Sequence, residues 1–186
     1  MFSAVEVQLH SYIFQPFTAR CTVEVIPASS PDGQSQLRIL DPWLSYNPLH
    51  DMEALWWIAA YFLIAKDVVG GEDPELRSSR LREQRMLISE LFWKCSSRHN
   101  VMAFYHTFSH RFQCLHPSLL SLYAIISDAR ETLTDTYCRV EENILALSFD
   151  TAVDKEVYKT FHSCFDKVRR TSPPDIVVQT ISRDED

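Results

Sequence analysis

The chain has 186 residues and a mass of 21.6 kDa, enough for one domain that hides roughly 70% of its unfolded surface. Hydrophobic residues make up 46%, charged residues 23%, and the net charge is −7; the balance is that of a globular protein, without a global field that would attract nucleic acid. Its only glycines are Gly33, Gly70 and Gly71, which excludes both a G-x-G-x-x-G loop and a G-x-x-x-x-G-K-[ST] run, and with them nucleotide binding on a glycine loop.

Met1 to Glu6 show no basic stretch running into an apolar one, so no secretory signal is expected there. Cys21, Cys95, Cys114, Cys138 and Cys164 are odd in number and contain no C-x-x-C pair. They are expected to be reduced core thiols of a cytosolic or nuclear protein. Cys21 to Ile26 alternates like a short strand, Ala28 to Gly33 is a turn cluster, and Leu37 to Leu40 is apolar again, which predicts a β-hairpin. Asn47-Pro48 is expected to stop the chain, and His50 to Glu53 to open a helix with Asp51 as its N-cap and Glu53 in its first turn. Every position from Ala54 to Ala65 is apolar. Such a run spans about 18 Å against about 30 Å of hydrocarbon, too short to cross a membrane. It predicts a central buried helix with other elements packed on every side, and the adjacent Trp56 and Trp57 as core packing.

After the loop at Gly70 to Pro74, Leu81, Leu87, Ile88, Leu91 and Phe92 recur at helical spacing. Arg77, Arg80, Arg82 and Arg85 give this helix a basic start; they read as a solvated face, and as the set of residues that would meet an acidic partner peptide or a phosphate. Leu119, Leu122, Ile126, Leu133, Tyr137, Val140, Ile144 and Leu147 keep helical steps, as one long helix or two consecutive ones. Val157, Phe161, Phe165 and Val168 form a last stripe expected to return onto that helix, and residues 171–186 an acidic, flexible tail. His106 and His110 lie four apart with His99 and His116 nearby, but no H-E-x-x-H is formed; polar or capping roles are expected rather than a metal site. Cys114 has no identifiable orienting group and reads as a buried thiol.

Two segments carry a family resemblance. Asn47-Pro48-Leu49-His50-Asp51-Met52-Glu53-Ala54-Leu55-Trp56-Trp57 resembles the N-P-L-H-D-L-E-S-L-W-W signature of the fungal-type protein kinases, at the start of the large helix of the kinase C-lobe. Phe2-Ser3-Ala4-Val5-Glu6-Val7-Gln8 is similar to the F-M-A-V-E-V-Q segment that fills the A-P-E role in that family. The resemblance extends over about residues 1–66 and thins out by about residue 95. It implies a mainly α fold over residues 1–170, a partial protein-kinase-like C-lobe with a short β-hairpin insertion. It also implies that Asp51 is a buried carboxylate accepting hydrogen bonds from the catalytic loop, and that Glu6 pairs with an arginine, Arg130 or Arg139.

Phosphotransfer in that family needs a glycine-rich loop, a strand lysine, an H-R-D-x-x-x-x-N loop and a D-F-G aspartate to place ATP and magnesium. None of these motifs occurs here, so no catalytic residue is assigned. ATP and magnesium are expected only for a complete family member, not for this chain. The expectation is a truncated or divergent kinase C-lobe that binds a protein partner, the missing kinase half, or a second copy of itself through uncovered apolar surface. The alternative is a helical protein-interaction module unrelated to kinases.

Overall fold

The structure, a computed structural model, describes residues 4, 22–25, 37–40, 47–95, 97–142, 151–171 and 177–181. Helices dominate the described residues. Strands β1 (Thr22–Val25) and β2 (Leu37–Leu40) pair antiparallel, Thr22 opposite Leu40 and Val25 opposite Leu37, as the alternation of residues 21–40 leads one to expect. Helix α1 (Pro48–Ile64) is followed by β3 (Lys66–Val68) and α2 (Pro74–Ile88), which widens into a π-helical turn over Ser89–Trp93. Then come two short helices, α3 (Arg98–Ala103) and α4 (Tyr105–Phe108), and a 3-10 turn at Ser109–Cys114. The long helices α5 (Pro117–Glu141) and α6 (Thr151–Thr171) precede the last strand, β4 (Val178–Thr180). No helix among the described residues is long and apolar enough to cross a membrane.

Helix α1 starts at Asn47-Pro48, not at His50. Asn47 adopts extended backbone, and its side-chain oxygen accepts the Leu49 N–H at 2.9 Å. His50 Nδ1 accepts the Asn47 N–H at 3.2 Å, closing a reciprocal capping box. Pro48 takes the first helical position, where a missing N–H costs nothing. The pair that reads as a stop is therefore the start, and the N-cap role expected of Asp51 belongs to Asn47.

The core forms where α1 meets α5. Trp56 and Trp57 are both buried, edge to face with ring centroids 4.8 Å apart. Trp56 Nε1 donates to the Ile126 carbonyl of α5 at 2.7 Å. Glu53, fully buried, accepts from Trp57 Nε1 at 3.0 Å and from the Tyr137 hydroxyl at 3.2 Å. A carboxylate in this position is tolerable only because donors surround it. On α5 the buried Leu119, Leu122, Ile126, Leu133 and Tyr137 follow the expected period, and the helix is capped by His116, whose Nδ1 accepts the Ser118 N–H.

Helix α6 lies on α5 and touches α1, with Val157, Phe161 and Cys164 buried. Phe165, expected within this stripe, is 42% exposed, and Cys164 takes its place, donating its thiol to the Ile125 carbonyl at 3.3 Å. The end of the chain also departs from expectation. Val178–Thr180 does not float as part of a solvated tail but pairs antiparallel with β3, Lys66 opposite Thr180 and Val68 opposite Val178. The flanking bonds Val69 N–H to Val177 O and Ile181 N–H to Ala65 O, both 2.9 Å, extend the pairing.

The cap assignment gives a direct test by thermal or urea unfolding. Asn47→Ala removes the capping bond and should cost about 1 kcal/mol, whereas Asp51→Ala should change stability by less than about 0.5 kcal/mol; the reverse ranking would contradict the assignment.

Candidate functional site

Helix α1 is not covered on all sides. Asp51, Leu55, Ile58 and Phe62 follow one another at steps of four, three and four and so share one face. Asp51 is exposed, Ile58 half-buried, and Leu55 and Phe62 are 43% and 58% exposed. The opposite face, with Met52, Trp56, Ala60 and Ile64, is buried. The carboxylate implied to be buried at position 51 is therefore open to solvent. The buried carboxylate of this helix is Glu53, two residues on. Asp51 would be covered in a kinase lobe by a catalytic loop, and the chain contains no such motif.

The four arginines of α2 do not form one exposed set. Asp67, at the centre of β3 and fully buried, accepts from Arg77 Nε at 3.1 Å and Nη2 at 2.5 Å, from Arg80 Nη2 at 2.7 Å, and from Gln179 Nε2 of β4 at 3.0 Å. Arg80 also holds Glu72 at 2.8 Å and donates to Gln84 Oε1 at 3.0 Å. Gln84 in turn donates to the Ile64 and Lys66 carbonyls at the end of α1. Arg77 and Arg80, both half-buried, thus join α1, β3, α2 and β4. Arg82 is exposed and Arg85 half-buried.

Burial alone would raise the Asp67 carboxyl pKa, but the hydrogen bonds from Arg77, Arg80 and Gln179 outweigh it and hold it below the ordinary carboxylate value. Glu72 is also held low, chiefly by the hydrogen bond from Arg80. The turn entering α2 depends on Gly70 and Gly71, both at positive φ, a region that side chains disfavour.

Glu6 lies outside the described residues. Of its expected partners, Arg130 is buried with its guanidinium 3.8 Å from the Tyr105 ring centroid, and it reaches Thr134 and Glu131 at 3.4 Å. Burial lowers its pKa. Arg139 is exposed and sits 3.4 Å from Glu156 of α6, a surface pair of little consequence for stability. Arg98, which sequence reasoning passed over, is 1% exposed, the least of the arginines and lysines among the described residues. Its Nε donates to the Leu91 carbonyl at 2.7 Å, and its guanidinium lies over Trp57 at 4.8 Å and Phe92 at 5.4 Å. Loss of solvent lowers its pKa.

The histidines do not converge: His106 and His110 are exposed, His116 caps α5, and His99 packs on Phe104 at 5.3 Å. No three His, Cys, Asp or Glu side chains are grouped to hold a metal ion among the described residues. Cys114 is buried, and burial pushes its thiol up to about 11, far from a nucleophile at neutral pH.

The Asp67 network should be visible in the pH dependence of folding. A carboxyl held low in the folded state contributes stability at neutral pH that is lost as pH falls through its folded pKa. Asp67→Asn leaves Arg77 without its carboxylate and Arg80 with Glu72 as its remaining acid and should cost about 2 kcal/mol at pH 7. It should also flatten the fall in Tm as pH drops below about 4, the ordinary carboxylate value; an unchanged acid limb would show that Asp67 is not the linked group. No family model, no curated protein and no solved structure matches this chain.

Proposed function

We propose that the chain is a partial, protein-kinase-like C-lobe without phosphotransfer of its own, which serves as a protein-binding module through the open face of α1. The observation that carries this is the stripe Leu55, Ile58 and Phe62, with the Asp51 carboxylate at its N-terminal end, on a helix that is apolar at twelve consecutive positions. A helix of that composition is stable in water only when wrapped on every side. Here α5, α2 and α6 cover part of it, and an apolar strip is left that fits the missing half of a kinase fold or a partner of the same apolar character. The resemblance of Asn47 to Trp57 to the kinase signature supports the first occupant. The exposure of Asp51 favours the second reading, a helical interaction module outside the kinases, because it leaves the implied burial of that carboxylate unmet in the isolated chain.

Catalysis is not part of this proposal, since the sequence carries none of the groups that position ATP or hold magnesium. Isothermal titration of the chain with a non-hydrolysable ATP analogue and magnesium should give no saturable heat. Magnesium-dependent saturation would overturn the non-catalytic assignment.

A further inference from the structure

Helices α5 and α6 pack along one another, yet a cavity of about 300 Å³ opens between them, a volume at the lower end of small-ligand sites. Asp128 lines it from α5, and Lys159, Thr160, Ser163, Cys164 and Lys167 line it from α6. Lys159, Ser163 and Lys167 recur at steps of four, so they share a flank over about 12 Å of helix. The chain is acidic overall, with a net charge of −7, but α6 carries five Lys/Arg against three Asp/Glu.

The charges lining the cavity are unspent. Elsewhere on α6, Arg169 and Arg170 lie 3.3 and 3.8 Å from Asp166, with the His162 ring at 3.9 Å. Among the described residues, neither Lys159 nor Lys167 has a carboxylate within ion-pair distance, and the Asp128 carboxylate has no cation there. Two ammonium groups and two hydroxyls therefore face one carboxylate across a gap none of them bridges. That arrangement complements a ligand with anionic oxygens at one end and a donor at the other. Cys164 does not turn the cleft into a reaction centre. Its thiol is engaged with the Ile125 carbonyl at 3.3 Å, and burial, with the charge of Asp128, pushes it up to about 11.

We propose that the α5–α6 cleft binds a small organic anion, its phosphate or carboxylate held by Lys159, Lys167 and the hydroxyls of Thr160 and Ser163, its ammonium or hydroxyl donated to Asp128. Lysine suits this role as a compact point charge that needs no fixed approach angle, and the local positive field concentrates small anions.

The test is calorimetric titration of the full chain at low ionic strength with O-phospho-L-serine, L-aspartate and inorganic phosphate. The first two distinguish phosphate from carboxylate as the anionic group, and the third lacks the donor end. Saturable binding of phosphoserine or aspartate is expected, with Lys159→Ala, Lys167→Ala and Asp128→Asn each weakening it about tenfold. Inorganic phosphate should bind at least about tenfold more weakly and should not respond to Asp128→Asn. Lys94→Ala, an exposed cation outside the cleft, serves as the control, with no change in affinity. All these side chains except Cys164 lie at the surface, so unchanged circular-dichroism melts confirm that each variant is folded. Absence of saturable binding by both organic probes, insensitivity to the lysine substitutions, or equal affinity for inorganic phosphate would overturn the proposal.

Discussion

A helix that is apolar at twelve consecutive positions sets the terms for the rest of this molecule. No amphipathic compromise is open to α1, so each element that follows is placed by how much of it that element covers. Helix α5 takes the largest share, and the joint is polar as well as apolar. Trp56 reaches the Ile126 carbonyl across seventy residues of chain, and Glu53 binds Trp57 on its own helix and Tyr137 on α5. Such buried bonds add modest net stability but are costly to leave unmade, and they fix which turn of α5 lies against which turn of α1. Arg98, lying over Trp57 and Phe92, closes the same region from the other side.

The charge networks divide by burial. Arg139 with Glu156, and Arg169 and Arg170 with Asp166, are surface pairs whose contributions are near zero in water. Asp67 differs because it has left solvent, and its Oδ2 accepts from Arg77 and Gln179 while its Oδ1 accepts from Arg80. Breaking it on one side strands charge in the protein. Its reach is long in sequence, since Gln179 and Thr180 bring the end of the chain onto β3 through side chain as well as backbone. The ends of α1, α2 and β4 are thus tied into one hydrogen-bonded network, with Arg77 and Arg80 at its centre.

What could be read from the residues alone followed from periodicity. The pairing of β1 with β2, the bodies of α1, α2 and α5, and the return of α6 onto α5 all rest on spacing of apolar groups, which reports burial directly. The failures lie where chemistry depends on a partner far away in sequence. Asn47-Pro48 has the composition of a stop and of a start alike, and only the His50 ring reaching back to Asn47 decides it. Asp67 is a single acid after an apolar run, and nothing local predicts two arginines and a glutamine converging on it. The last strand is short and fully exposed, so it has no burial pattern to betray it. The open face of α1 was the least legible feature, because a uniformly apolar helix carries no mark of the side left bare.

The proposed function rests on that bare side. Leu55 and Phe62 belong to a helix built for burial, and their exposure is the observation behind the docking face proposed above. The most direct measurement is sedimentation velocity over a concentration series, with melting curves, on the chain and on its Leu55→Glu/Phe62→Glu variant. The account predicts reversible self-association of the unmodified chain and a Tm that rises with its concentration, both lost in a variant that stays folded and monomeric, its Tm matching that of the unmodified chain at high dilution. A monomeric unmodified chain, a variant that associates as before, or a variant that melts far below it would contradict the account, because α1 would then offer no docking face.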